Sequence, residues 1–173
     1  EIEYLDLSVK NVLAILSQRG MANNTIVVFM GDNGLALPHG KGTLYDPGVN
    51  VPMLVRWPGV VRPGRTTNEL ISGEDFTPTI LEIAGVIPPE EMSGVSFLKL
   101  LKENSAFVGR KYVFTSRTTH GGDGGMTPYV STINFDLARA VRTANYKLIY
   151  NTTPHQPVGP PDSYLDPSWL EMK

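Results

Sequence analysis

Residues 2–19 carry apolar side chains at the spacing of one helix face. These positions are Leu5, Val9, Val12, Leu13 and Leu16. The spacing predicts an amphipathic helix that buries a single stripe. Gly20 follows directly, and glycine is common just past the end of a helix.

Residues 25–30 begin with Thr25 and continue as an apolar run over 26–30 without alternation. This pattern is typical of a strand that is covered by helices on both faces, as in a parallel sheet. The strand ends at Gly31, and Asp32 and Asn33 come next. Because α/β sheets bind their ligands beyond the carboxyl ends of their strands, these two polar residues lie where a site is expected.

The pattern after this strand predicts further α/β elements. Residues 34–50 are rich in Gly and Pro and predict a loop, and 51–57 predict a second strand. Two helices follow, the first capped by Asp75 or Thr77 and the second over 96–103. A strand between helices is the repeating unit of an α/β fold.

The last third of the chain predicts a different architecture. Three short segments have the composition of strands: 111–116, 137–142 and 146–150. The last two are separated by only a few residues, which predicts a hairpin and a small antiparallel sheet. We therefore expect an α/β portion over 1–105, a small antiparallel subdomain over 106–151 and an extended Pro-rich tail over 152–173.

Composition and charge exclude several classes of partner and site. The formal net charge is -2, the pI is about 5.9 and no Lys/Arg-rich tract is present, so no nucleic acid is expected as a partner. The apolar runs are too short to span a bilayer, so no membrane is expected either. The absence of cysteine excludes disulfides, thiolate zinc sites and a cysteine nucleophile within these residues.

Asp32-Asn33 is the sharpest candidate for chemistry. The pair places a carboxylate and an amide oxygen side by side, and hard cations such as Ca²⁺ prefer oxygen ligands of this kind. Asp-Asn-Gly is also common turn chemistry, and as a local motif the sequence favours the turn. Both interpretations stay open at this point.

Gly40-Lys41-Gly42-Thr43 is similar to a nucleotide-binding P-loop only at first sight. Five residues, not four, separate Gly34 from Gly40, and Gly42 stands where Ser or Thr must bind Mg²⁺. Lys41 between two glycines can still approach an anionic ligand closely, because nothing bulky shields it. The alternative is a solvated loop lysine.

The three histidines, His39, His120 and His155, are scattered and lack the spacing of metal ligands. His120 opens the Gly-rich segment 121–125, where a substrate contact is plausible, although a surface histidine is the default for each. No serine nucleophile of the G-x-S-x-G kind occurs.

Six segments, taken together and in order, resemble the sulfatase family of the alkaline-phosphatase-like superfamily. They are residues 24–34, 40–48, 51–59, 75–81, 139–143 and 146–151. The resemblance is closest in character to the heparan N-sulfatases (sulfamidases). It implies the later part of an alkaline-phosphatase-like mixed sheet flanked by helices, followed by a small antiparallel C-terminal sheet.

The resemblance also implies roles for individual residues. Asp32 and Asn33 match the second pair of ligands of the family's divalent metal, usually Ca²⁺. Lys41 matches a lysine that contacts the sulfate, and fixed positive charge there stabilises charge that develops as the bond breaks. His120 matches a histidine of the substrate pocket, whereas His39 cannot be placed on a family position. The substrate would be a sulfated small molecule or glycan.

The sequence departs from the family in one respect. The nucleophile is a formylglycine made from Cys or Ser in a C/S-x-P-x-R motif, and that motif is absent here. We expect it upstream of Glu1, together with the first metal-binding aspartates, in a missing N-terminal half of the same protein. The chain alone should then be inactive and should self-associate through exposed apolar surface. The resemblance implies a periplasmic, secreted or lysosomal location.

Two alternatives remain from the sequence. The first is a phosphatase, phosphodiesterase or phosphonate hydrolase of the same superfamily, which would differ in its upstream nucleophile. The second is a non-catalytic carbohydrate- or metal-binding module in which the motif residues serve as turns.

Overall fold

A computed structural model describes residues 1–103, 106–120, 134–155, 167 and 171, with the backbone alone at 119, 120, 134 and 135. The elements in chain order are α1 (Ile2–Gln18), β1 (Val27–Met30), α2 (Asp46–Val49), β2 (Met53–Arg56), a 3₁₀ helix (Gly73–Asp75), α3 (Phe76–Ile83), α4 (Leu98–Leu101), β3 (Val113–His120), β4 (Asn134–Arg142) and β5 (Lys147–Asn151).

The helix predicted at the start of the chain is confirmed as α1, but its predicted buried stripe is wrong for this chain. None of its residues is buried, and Leu5, Val12 and Ile15 are each about half exposed. The reason is that α1 packs against no other helix or strand in the described part of the chain. No helix among the described residues is long and apolar enough to cross a membrane.

Strands β1 and β2 form a two-stranded antiparallel sheet, with Val28 opposite Val55. The prediction of a parallel strand covered on both faces is therefore wrong. The connecting loop doubles back, and its two ends are joined by a hydrogen bond of 3.0 Å from the N–H of Gly31 to the carbonyl of Pro52. One face lines a narrow gap with side chains of α3 and α4, whereas Leu54 on the other face is 59% exposed.

The helix predicted after residue 75 is confirmed as α3. Asp75 is its first flanking residue, but the Asp75 carboxylate caps the preceding 3₁₀ turn instead, where the N–H of Ser72 donates to Oδ2 at 2.8 Å. The hydroxyl of Thr79 donates to the carbonyl of Asp75 at 2.6 Å, which satisfies a polar group inside the helix packing. The second predicted helix is present as the shorter α4.

Strands β3, β4 and β5 form the predicted antiparallel sheet, in that order. The first strand extends to His120 and the second begins at Asn134, so both are longer than the sequence pattern indicates. On one face of β4, Ala138 and Ala140 are buried against Leu44 of the β1–β2 loop. These small side chains let the loop lie directly on the sheet, which positions the candidate site.

The proposed division at residues 105 and 151 stays a prediction, and most of the predicted tail lies outside the described residues. The sheet and the α/β portion share the core formed by Leu44, Ala138 and Ala140, with Val49 and Ile149 packed against it.

Candidate active site

The turn after β1 carries the first two predicted site residues. The N–H of Asn33 donates to Oδ1 of Asp32 at 2.9 Å, and Nδ2 of Asn33 donates to the carbonyl of Gly34 at 2.8 Å. Both side chains are exposed. These two hydrogen bonds use Oδ1 of Asp32 and Nδ2 of Asn33. They involve neither Oδ2 of Asp32 nor Oδ1 of Asn33, and both of these oxygens are of a kind that can bind a cation. The pair therefore forms a turn that also carries two oxygen atoms of the kind that bind metal ions.

These donors fit part of a calcium shell. Ca²⁺ takes about six to eight oxygen ligands, mostly carboxylate, carbonyl and water. Asp32 and Asn33 supply two of this type. Within the described residues no group of three or more His, Asp or Glu could hold a metal ion, so a calcium ion bound here would need further ligands from elsewhere.

The loop between β1 and β2 folds back so that Lys41 lies near this turn. The N–H of Lys41 donates to the carbonyl of Leu35 at 2.7 Å, and the N–H of Gly34 donates to the carbonyl of Gly48 at 3.1 Å. Because Leu35 is two residues beyond Asn33, the Cα atoms of Asn33 and Lys41 are at most about 14 Å apart. The fold-back thus limits the distance between the backbone of the predicted lysine and that of Asn33 to about 14 Å or less.

Glycine is required where this loop crosses itself. A Cβ on Gly34 would lie 1.7 Å from the carbonyl oxygen of Pro47, and a Cβ on Gly40 would lie 2.1 Å from that of Leu35. Real Cβ atoms do not approach a carbonyl so closely, so both positions need a residue without a side chain. The glycines that flank the site therefore fix its shape.

His39 has a structural place beside Lys41. Its backbone is in the left-handed region, with φ of 60°, and its ring meets that of Tyr45 edge-on at 5.0 Å. The hydroxyl of the buried Thr43 donates to the carbonyl of His39 at 2.8 Å. These contacts support the turn that presents Lys41.

Arg117 of β3 holds the loop immediately after Lys41. Its Nη1 donates to the carbonyl of Gly42 at 2.9 Å, and its Nη2 lies 2.5 Å from Oδ2 of Asp136. Asp136 is only 2% exposed, and its other oxygen accepts a hydrogen bond from the hydroxyl of Thr153 at 3.1 Å. The buried carboxylate orients the guanidinium, which in turn fixes the Gly42 carbonyl.

Asp46 at the start of α2 provides a second attachment to the sheet. Its two carboxylate oxygens accept hydrogen bonds from Nη1 of Arg142 at 2.6 Å and from Nζ of Lys147 at 2.8 Å. The hydrogen bond from Lys147, and then that from Arg142, hold the pKa of the Asp46 carboxyl below its ordinary value, against an opposing effect of burial. The carboxylate is therefore charged at neutral pH.

A separate ion pair stabilises the α3 region. Nε of Arg110 donates to both carboxylate oxygens of Asp75, at 3.0 Å to Oδ1 and 2.8 Å to Oδ2. The same carboxylate also accepts hydrogen bonds from the backbone N–H groups of Val95 and Ser72. Burial by itself would raise the pKa of Asp75, but the hydrogen bonds from Arg110, Val95 and Ser72 outweigh it and lower that pKa. The Asp75 carboxylate is thus fully paired although it is 2% exposed.

The other two histidines are not joined to this site by any described side-chain contact. The backbone of His120 ends β3 opposite Asn134, and the His120 side chain lies outside the described atoms. His155 is exposed beyond β5. The substrate role of His120 stays a prediction.

A shallow groove of about 380 Å³ opens at the β4–β5 turn, away from these residues. Its walls include Asn68, Arg110, Lys111 and Asn145, and its lining contains none of Asp32, Asn33 and Lys41.

Comparison with known proteins gives a consistent assignment. The model of the family described as Sulfatase matches residues 1–86. An ulvan-active sulfatase of Formosa agariphila is 35% identical over 152 residues, which cover 88% of this chain and 23% of that protein. The chain belongs to the sulfatase family. An N-acetylglucosamine-6-sulfatase of Bos taurus is 36% identical over 123 residues, or 68% of this chain and 22% of that protein.

Solved structures agree on the fold of this sulfatase chain. One of them, in complex with its substrate D-glucosamine-2-N,6-O-disulfate, superposes with a TM-score of 0.69 at 23% identity, over 98% of this chain and 34% of its own. The predicted alkaline-phosphatase-like fold is confirmed. The chain spans about a quarter of the length of the curated relatives. The closer likeness to heparan N-sulfatases stays a prediction.

The sequence did not predict the residues that hold the β1–β2 loop, which carries Lys41, against the small sheet. Asp46, Arg117, Asp136 and Lys147 were not identified as candidates. One signal was available, because Arg142 and Lys147 directly flank the short hairpin turn. Two cations opposite each other in a hairpin repel unless an anion lies between them, which predicts a shared carboxylate.

Proposed function

We propose that this chain forms part of a longer sulfatase that hydrolyses sulfate esters or sulfamates of sugars. The observation that carries the proposal is the hydrogen bond from the N–H of Lys41 to the carbonyl of Leu35, which folds the loop back beside the residues that follow the Asp32–Asn33 turn. A cation and two oxygen ligands carried by one folded loop would suit a substrate group that is itself anionic and metal-bound.

Lys41 supplies fixed positive charge in this proposal. As the S–O or S–N bond breaks, negative charge grows on the sulfate oxygens and on the leaving atom. A cation already held in position stabilises that charge without reorganisation of solvent, and this is the main source of such catalysis. The backbone hydrogen bond from Lys41 to Leu35 and the close contacts at Gly34 and Gly40 hold the backbone from which the lysine side chain extends.

Asp32 and Asn33 would hold a divalent metal, with Ca²⁺ the best match to their oxygen donors. When bound, the ion would draw sulfate oxygens into the site and lower the pKa of the attacking group. The remaining metal ligands and the formylglycine nucleophile would come from residues outside this chain. The role of Asp32 and Asn33 here is to orient two oxygens at the end of β1.

A sulfated sugar is the substrate class we favour. One relative is an ulvan-active sulfatase and another is an N-acetylglucosamine-6-sulfatase. They are 35% and 36% identical to this chain over the matched residues. The choice between an O-sulfate and an N-sulfate is not made by the described residues, since Lys41 would serve either leaving group.

The test compares two substrates that differ only in the transferred group. The longer protein that contains this chain is assayed with glucosamine 6-sulfate and glucosamine 6-phosphate. We expect release of sulfate at a rate far above release of phosphate. Faster phosphate release would instead assign a phosphoryl-transfer enzyme of the same superfamily, and calcium-dependent sugar binding without turnover would assign a binding module.

A further inference from the structure

The inner face of the β3–β4–β5 sheet is shaped to receive the loop that carries Lys41. Ala138 and Ala140 of β4 are 2% and 4% exposed, and Leu44 packs on them at 6% exposure. Longer side chains at either alanine would hold the loop away from the strands. The contact buries a small apolar patch, and because apolar contacts are not directional, this patch alone does not fix the loop along the strand.

Polar attachments lie at both ends of this patch. Arg117 lies opposite Ala138, and it donates to the carbonyl of Gly42 at 2.9 Å. At the other end, Arg142 and Lys147 lie opposite each other and share the Asp46 carboxylate. One attachment is one residue after Lys41 and the other is five residues after it. The loop is therefore held against the face of the sheet by the apolar contact and fixed along the strand direction by the two polar attachments.

Both attachments have features that stability alone does not require. Nε of Arg117 is buried and finds no hydrogen-bond partner in the described part of the chain, which is unfavourable. Arg142 and Lys147 are like charges held face to face, which is unfavourable unless Asp46 stays between them. A buried unsatisfied group of this kind calls for an explanation, and positioning of the loop supplies one.

We infer that Asp46 and Arg117 are positioning residues for Lys41, through which the small antiparallel sheet sets the geometry of the sulfate site. This rests on the proposed sulfatase function. Neither residue is inferred to touch substrate. Asp46 acts by holding the loop to Arg142 and Lys147, and Arg117 acts by holding the carbonyl next to Lys41.

The inference makes a specific kinetic prediction in the longer protein. Replacing Asp46→Asn should lower kcat for sulfate release by about ten- to one-hundredfold, because a misplacement of about 1 Å at a catalytic group has an effect of this size. Asp46→Glu should recover part of the loss. The matched control is Glu103→Gln, which removes a carboxylate from the exposed pair with Arg62 and should leave kcat unchanged.

A double-mutant cycle separates positioning from general stability. If Asp46 acts through Lys41, Asp46→Asn should cause little further loss in a Lys41→Ala background. If Asp46 only stabilises the fold, the loss should be the same in both backgrounds, and the inference is overturned. All rates are measured per folded molecule, well below the thermal midpoint of each variant.

Two further measurements keep the outcome decisive. If Asp46→Asn does not fold, Lys147→Met is used in the same cycle, since it removes one cation and leaves the pair of Asp46 with Arg142. Wild-type protein without sulfatase activity would contradict the proposed function itself. Active wild-type protein that loses activity on Lys41→Ala but keeps full kcat on Asp46→Asn and on Lys147→Met would contradict only the positioning inference.

Discussion

Arg117 donates a hydrogen bond of 2.9 Å to the carbonyl of Gly42, 75 positions earlier in the chain. The bond joins β3 of the small sheet to the loop of the α/β portion, at the residue after Lys41. The buried Asp136 orients the guanidinium for this contact. The antiparallel sheet is therefore a support for the candidate site.

The ion pair between Asp75 and Arg110 should be important for stability. Arg110→Met leaves the buried Asp75 carboxylate without its cation, and breaking a buried pair in this way destabilises by about 3 kcal/mol. Arg62→Met is the control, because Arg62 is 72% exposed and 3.4 Å from Glu103, a pair expected to contribute less than about 1 kcal/mol. Urea unfolding measures both, and equal losses would contradict the assignment.

The same pair predicts how stability depends on pH. The pKa of Asp75 is lower in the folded chain than its ordinary value of 3.8, so its contribution is fully present above that value. The contribution is lost as the pH falls through the lower, folded pKa, because the unfolded chain then binds more protons. Asp75→Asn lacks this contribution at neutral pH.

The free energies of unfolding of wild type and Asp75→Asn should therefore converge as the pH falls below about 4. Asp46, whose pKa is also lowered, contributes with the same sign in both proteins and cancels in the difference. Urea titrations at several pH values give the curves. A constant difference down to the acid limit would contradict the prediction.

Gly34 should be intolerant of any side chain. Gly34→Ala places a methyl group 1.7 Å from the Pro47 carbonyl, so the loop must shift, at a cost of about 2 kcal/mol. Gly73→Ala is the matched control, because a Cβ there meets nothing within 4 Å. Thermal melts compare the two variants. A Gly34→Ala protein as stable as Gly73→Ala would show that the loop crossing is not as tight as described.

The exposed stripe of α1 should cause self-association of the isolated chain. Leu5 and Val12 are each about half exposed and lie on one helix face with no covering element among the described residues. Val12→Lys should reduce association, whereas Asn11→Lys adds the same charge to a different face and should not. Sedimentation velocity over a range of concentrations reports the result. A concentrated wild-type chain that stays monomeric would contradict this prediction.

Local pattern predicted most elements of the fold, because helix and strand periodicity are local properties. The spacing of Leu5, Val9 and Val12 predicts α1, and the residues around the β4–β5 turn predict the hairpin. Strand partners are not local. The apolar run that became β1 predicted a parallel neighbour, but its described partner β2 is antiparallel and one face stays partly open.

The residues of the candidate site also divide into those that lie in local motifs and those that depend on contacts distant in sequence. Asp32, Asn33 and Lys41 lie in short motifs, and the resemblance of those motifs to the sulfatase family predicted their roles, which stay predictions. The residues that hold the loop could not be found from local motifs, since Asp46 and Arg142 are 96 positions apart. Only the facing cations of the hairpin gave a signal, and it did not identify the carboxylate between them.

The removal of metal should discriminate the roles of the two site groups. If Asp32 and Asn33 hold a calcium ion, Asp32→Ala in the longer protein should raise the calcium concentration that sulfate release requires, and added calcium should restore part of the activity. Lys41→Met should need the same calcium concentration as the wild type, and excess calcium should not restore its lost activity. Calcium titration of both variants is the measurement, and equal responses would contradict separate roles.

The central claim is that Lys41 stabilises negative charge on a sulfate group. The most direct test is the kcat of sulfate release from glucosamine 6-sulfate by the longer protein, as wild type, as Lys41→Met and as Lys10→Met, which removes an exposed lysine of α1. We predict that Lys41→Met lowers kcat by about a hundredfold or more, and that Lys10→Met leaves it unchanged. An unchanged kcat for Lys41→Met would contradict the account.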